Sequence, residues 1–297
     1  MELRHLRYFL AVAEEKNFTR AAERLGIGQP PLSQQIRALE TEVGTLLFHR
    51  LPHGAELTES GKAFLDPARA AIAAAERARL SAQRAARGEI GMLRVGFTGS
   101  GAFTPLVPSL IRAFRRAYPD VEVELLELNS EKLMARLARE EVDIAFLRPA
   151  LADPEGLRLL RFPDEPMVAA LPALHPLAEH DRIALADLAE QPFVFYPRTI
   201  GLGLYDEVYR ACQRAGFSPR LVQEAPQIAS VVNLVAAEMG VSIVPRSMSQ
   251  VRVPGVVFRD FAGDAPVARH ACAMRRAETA PAARNFWAMV AAARPQV

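Results

Sequence analysis

Cysteine is scarce in this chain of 297 residues: only Cys212 and Cys272 occur, far apart and outside any CxxC or Cys/His ligand spacing. That argues against a disulfide framework and a zinc site, so no metal is expected. Such thiol usage fits a reducing cytoplasm, the expected location. Long hydrophobic runs are missing as well. No stretch approaches the roughly 20 apolar residues of a bilayer span, and the opening Met-Glu-Leu-Arg-His-Leu-Arg lacks the apolar core of a signal peptide. Neither sign of charge dominates, since 36 Lys and Arg stand against 34 Asp and Glu, a net +2. Bulk charge neither demands nor forbids nucleic acid, and phosphate binding has to come from local placement. Catalytic signatures are absent too. There is no GxSxG or HExxH, and no nucleophile, base and orienter can be placed together, so the chain is not expected to be an enzyme and no cofactor is implied.

What is present is the balance of a folded protein, 50% hydrophobic and 24% charged. The length exceeds what one ordinary core supports, which suggests a small module joined to a larger one.

Leu3, Leu6, Phe9, Leu10 and Ala13 recur at three- and four-residue steps and mark the buried face of a first helix. Asn17 precedes a second, Phe18 to Leu25, which Gly26 is placed to end. Gly28 and Gln29 lead into Pro30-Pro31, residues tolerated in a helix's first turn, and Leu32, Ile36, Leu39 and Val43 continue the stepping. Two short helices across a glycine-containing turn form the helix-turn-helix pattern, with Gln29 to Leu39 as recognition helix. Gln29, Ser33, Gln34 and Arg37 are placed on its exposed face, where base edges of a major groove would be met. A solvated face of an ordinary three-helix bundle is the alternative.

Leu46-Leu47-Phe48 and Leu57-Thr58 bracket a basic tip, Arg50-Leu51-Pro52-His53-Gly54, which reads as the hairpin of a wing. Thr58 with Glu59 can cap an alanine-rich helix running to about Arg87, interrupted only by Pro67. Its alanine faces invite dimerisation, or packing against the chain's own body. Gly88 and Gly91 then break the helix at a domain boundary. Beyond Met92, strands (93–97, 121–126, 142–147, 167–171, 193–195, 241–244) alternate with helices (105–118, 130–139, 204–215, 228–238, 280–293) in the pattern of open α/β sheets. The isolated last helix suggests that the chain crosses to a second subdomain and returns.

Ala21-Ala22-Glu23-Arg24-Leu25, Gln29-Pro30-Pro31-Leu32-Ser33-Gln34-Gln35-Ile36, Leu39-Glu40, Leu47-Phe48-His49-Arg50 and Leu57-Thr58-Glu59-Ser60-Gly61 resemble the LysR-type transcriptional regulators. The resemblance implies an α + α/β chain: a winged helix-turn-helix (1–58), a dimerising linker helix and hinge (59–90), and a periplasmic-binding-protein-like two-subdomain effector domain (91–297). Subdomain I would span about 91–162 and 267–297, subdomain II about 163–266. It further implies homotetramers, dimers of dimers, on double-stranded promoter DNA, with a small effector altering DNA bending and RNA polymerase recruitment. Thr19, Gln29, Pro30, Pro31, Ser33, Gln34, Arg37, Arg50 and His53 are the expected DNA contacts. Gln34 stands where many relatives carry Arg, which turns a phosphate or guanine contact into an amide contact suited to adenine. His53 stands where a relative often has Arg, which makes wing binding pH dependent.

An effector between two α/β lobes sits at the carboxyl ends of strands, near helix N-termini. Phe97-Thr98-Gly99-Ser100-Gly101, Leu128-Asn129-Ser130 and Tyr196-Pro197-Arg198-Thr199 stand that way, the last followed by Gly201-Leu202-Gly203. Glu127 to Ser130, Phe146-Leu147-Arg148 and Leu234 to Ala237 are similar to the branch that senses aromatic acids and ring-cleavage products such as benzoate and muconate. In that branch the matches of Ser100 and Ser130 hold a carboxylate, and the match of Arg148 belongs to a second, aromatic-acid site. Gly99, Ser100, Ser130, Arg148, Arg198, Thr199, Leu202 and Gln227 are the expected effector contacts. The alternatives are that Ser100 and Ser130 only cap helices, that Arg148 is a surface or interdomain residue, and that Gln227 touches a crossover strand. His175 and His180 read as loop histidines, Phe286 and Trp287 as core. The function expected is a promoter-binding regulator of a catabolic operon that responds to a small carboxylate. The rival is a cytoplasmic solute-binding protein, which the N-terminal arm argues against.

Overall fold

The computed structural model describes residues 1–52, 54–149, 154–198 and 202–293, Leu202 by its backbone alone. Residues 1–84 form one compact unit and the residues from 85 onward another.

In the first unit, α1 (Leu3–Glu15) buries Leu6, Phe9 and Val12. Asn17 starts α2 (Phe18–Leu25) by accepting from the N–H groups of Thr19 (2.9 Å) and Arg20 (3.1 Å), and Gly26 ends it at φ 68°. α3 (Gln29–Val43) carries both prolines in its first turn, runs a turn past Leu39, and sinks Leu32, Ile36 and Leu39 completely. Glu40, buried on the same helix, accepts from the N–H groups of Leu47 (2.9 Å) and Phe48 (3.2 Å) and so fixes where β1 (Phe48–Leu51) begins. β2 (Gly54–Leu57) pairs with it antiparallel, Leu51 opposite Gly54. Arg50, expected in the tip, lies instead within β1 opposite Ala55.

Thr58 caps α4 (Glu59–Ala86) through the N–H of Gly61 at 2.9 Å and donates to the carbonyl of Leu46 at 2.7 Å. α4 runs through Pro67 without a break. Gly61 is required by contact: a Cβ there would lie 2.1 Å from the carbonyl oxygen of Leu47.

In the second unit, β3 (Ile90–Phe97), α5 (Leu106–Ala117), β4 (Asp120–Glu127), α6 (Ser130–Ala138) and β5 (Ile144–Leu147) form the expected run of alternating elements, with β3 parallel to both β4 and β5. β6 (Leu157–Arg161) ends the first pass, and the chain crosses into the second subdomain. There β7 (Glu165–Pro172), β8 (Arg182–Ala184), β9 (Pro192–Phe195), α7 (Leu202–Arg214), β10 (Arg220–Glu224), α8 (Ile228–Ala236), β11 (Ser242–Pro245), β12 (Val256–Ala262) and β13 (Val267–Ala268) follow. The chain returns as β14 (Ala271–Arg275) and α9 (Pro281–Ala292).

The first sheet has the order β4-β3-β5-β14-β6, with β14 antiparallel to both its neighbours. The second runs β11-β7-β12-β8 with β13 also beside β7, while β9 and β10 pair in parallel and Phe193 bridges to Val241. The sheets are therefore mixed, and β6, β8, β10, β12, β13 and β14 have no counterpart in the sequence reading. Each lobe has its own core, around Phe114, Phe146 and Phe286 in the first and Phe193, Val231 and Ile243 in the second. Among the described residues no helix is long and apolar enough to cross a membrane.

Candidate DNA-reading surface and effector cleft

On the N-terminal unit the start of α3 presents Gln29, Pro30, Pro31, Gln34 and Arg37 to solvent, and Thr19 is exposed on α2. Ser33 departs from expectation. It is 9% exposed and its Oγ takes the side-chain N–H of Gln29 at 2.9 Å, because the helix turns that position toward the bundle. Arg50 is exposed on β1, its guanidinium 5.0 Å from the Phe18 ring centre and 3.9 Å from Oε2 of Glu40. His53 lies outside the described residues.

In the second unit a cleft of about 430 Å³ opens at the carboxyl ends of β3, β4 and β5 and the facing ends of β9 and α8. Gly99, Ser100, Ser130, Arg148 and Gln227 all line it. Phe103, Leu128, Leu204 and Ile228 supply apolar wall, and Glu127 and Lys132 stand among the lining residues with charge of both signs.

Neither serine caps a helix through its side chain. Asn129 caps α6, accepting from Lys132 N–H at 2.8 Å, and Ser130 is the first helical residue. Ser100 precedes a 3-10 turn, Gly101–Phe103, without a side-chain capping bond. Both hydroxyls serve Arg148 instead. The backbone N–H of Arg148 donates to Ser130 Oγ (3.1 Å) and its Nε donates to Ser100 Oγ (3.3 Å).

Arg148 is 4% exposed, so it is not a surface arginine. Its Nη2 donates to Oε2 of Glu165 at 2.9 Å and its Nη1 to the carbonyl of Ala268 at 3.3 Å, which ties the end of β5 to both crossover segments. Oε1 of Glu165 takes the N–H of Ser247 at 2.6 Å. The start of α7 closes over the same strand end, since a Cβ on Gly203 would lie 3.0 Å from the carbonyl oxygen of Pro149 and 3.2 Å from that of Arg148.

Arg198 does not join this group. It is exposed and paired to Asp206 at 2.8 Å, a bond that raises its pKa and lowers that of Asp206. From the same loop it is Tyr196, a buried residue, that lines the cleft. Thr199 lies outside the described residues, as does the side chain of Leu202.

The model of the bacterial regulatory helix-turn-helix protein, lysR family, matches residues 3–62, and that of the LysR substrate binding domain matches residues 86–295. The chain belongs to the LysR family. The regulator YnfL of Escherichia coli K12 is 41% identical over 96% of this chain and 96% of its own, and BudR of Raoultella terrigena 40% over 97% and 100%. The crystal structure of full-length CbnR complexed with its target DNA is similar at a TM-score of 0.84 and 30% identity, covering 98% of this chain and 99% of that one. The chain is thus a DNA-binding transcriptional regulator of the LysR type, a family of regulators and not of enzymes.

Proposed function

We propose that this LysR-family regulator controls the promoter of a catabolic operon in response to a small carboxylate bound in the cleft. An aromatic acid or a ring-cleavage product suits the apolar wall. The observation that carries the reading is the pair Ser100 and Ser130, both fixed by Arg148 beside an apolar wall in a space of about 430 Å³. A carboxylate accepts from such hydroxyls while Phe103, Leu128 and Ile228 cover the rest of the ligand.

Thr19, Gln29, Pro30, Pro31, Gln34, Arg37 and Arg50 are the side chains we place against DNA, together with His53. Exposed alanines along α4, such as Ala74, Ala78 and Ala82, support pairing with a second copy, and we assign the chain to tetramers that recruit RNA polymerase.

Thermal-shift screening against aromatic and dicarboxylic acids tests the effector reading. A ligand at about 100 times its Kd adds about 2.7 kcal/mol to native stability and raises Tm, and Ser100→Ala should lose most of the rise. A full rise retained in that variant would reject the carboxylate role.

A further inference from the structure

Tyr196 follows directly on β9 in the second lobe, and its hydroxyl oxygen is buried with no hydrogen-bond partner among the described residues. The side chain is 3% exposed and belongs to the wall of the cleft, which Arg148, Ser100 and Ser130 line from the first lobe. A buried hydroxyl left unbonded carries the full penalty of its lost hydration, so a group that accepts from it on ligand binding recovers that loss. Burial also raises the pKa of this phenol well above its ordinary value, which keeps the proton on the oxygen.

The two serines complement it. Each hydroxyl oxygen already accepts from Arg148, one from its backbone N–H and one from its Nε. A hydroxyl oxygen that accepts one bond keeps a second lone pair and its proton, and that proton stays available to an acceptor on a ligand. Arg148 itself is neutralised by Glu165, so it acts on the cleft by orienting donors and not as a free cation.

We propose that Tyr196 is an effector-contacting residue, the third hydroxyl donor of a cleft that Arg148, as a positioning residue, biases toward ligands with several hydrogen-bond acceptors. This rests on the effector reading above and sharpens it: a carboxylate, with two acceptor oxygens, is preferred to an amine or a primary amide of the same shape, which brings fewer acceptors.

The test uses the full-length protein and calorimetric titration with benzoate, cis,cis-muconate and acetate, with benzamide as the neutral isostere of benzoate. Tyr196→Phe removes one oxygen and leaves the ring. The unliganded Tm should stay level or rise, while affinity for the bound carboxylate falls about 10- to 100-fold, the range of one hydrogen bond to a charged acceptor. Arg148→Lys keeps the charge facing Glu165 but loses the Nε donor to Ser100, so the preference for benzoate over benzamide should narrow even where the fold is retained. Should Tyr196→Phe bind carboxylate as tightly as the parent while Ser100→Ala does not, the role of Tyr196 is overturned and the effector reading stands. Should the parent bind none of the three carboxylates, or prefer benzamide, both fall.

Discussion

Nη2 of Arg148 lies 2.9 Å from Oε2 of Glu165, in a pair where the arginine side chain is 4% and the carboxylate 16% exposed. The pair joins the end of β5 to the first crossover. Removing one partner leaves the other charge buried and alone, which in comparable sites costs about 3–5 kcal/mol, whereas replacing both by apolar side chains of similar size is close to neutral. Glu165→Ala should therefore lower denaturant stability by several kcal/mol, and the double variant Arg148→Met with Glu165→Leu should recover most of it. Equal losses in the single and double variants would show that the pair does not hold the crossover.

At Gly61 the first turn of α4 packs so closely on the carbonyl of Leu47 that no Cβ fits without movement of backbone. Gly61→Ala should reduce the stability of the N-terminal unit by about 1–3 kcal/mol, the usual effect of forced overpacking. Protease sensitivity of that unit reports it, and resistance equal to the parent would contradict the contact.

The imidazole of His270 is pushed down to about 3 by burial first and by the charge of Arg148 second. In an unfolded chain a histidine titrates near 6.5, so between about pH 6.5 and 3 the unfolded state holds the extra proton. Stability therefore falls as pH drops through that window, by about 2 kcal/mol between pH 7 and pH 5 from this group. The ring lies among Phe146 and Phe162, and His270→Phe should flatten the acid side of the stability profile. An unchanged slope would assign the acid sensitivity elsewhere.

Both thiols are buried and free, that of Cys212 raised to about 12 and that of Cys272 raised further, each by desolvation. Neither should react with a disulfide reagent at neutral pH while the protein is folded. Labelling should track unfolding in urea, and a rapid phase in native buffer would contradict the assignment.

Much of the DNA-binding unit was legible because its signals are local. Asn17, Gly26, Pro30-Pro31 and Thr58 each act within a few residues, and the structure places them as caps and helix ends. Ser33 misled because a helix face was assigned from polarity alone, while its packing is set by Gln29 and the bundle. The effector domain was legible where strand and helix alternate and illegible at β14, whose partners β5 and β6 lie more than a hundred residues away. In the cleft, the serine loops were found from their position after strands. The partnership of Arg148 with Glu165 had no sequence signal, since a lone carboxylate in a crossover resembles any loop acid. Arg198 carries the charge expected of a carboxylate contact, yet Asp206, in the first turns of α7, claims it, and Tyr196, two residues before it, is what lines the cleft. Trp287 was read as core and is half-buried beneath the guanidinium of Arg158, 4.8 Å from its ring centre.

The face begun by Gln29 and continued by Gln34 and Arg37 is expected to read promoter DNA. A mobility shift at low salt with the intergenic DNA upstream of the chain's own gene tests it most directly. A specific complex is expected, which Arg37→Ala weakens by about 1–3 kcal/mol, roughly 5- to 150-fold, as the loss of one base contact does. No complex at low salt, or one that Gln34→Ala and Arg37→Ala both leave unchanged, would contradict it.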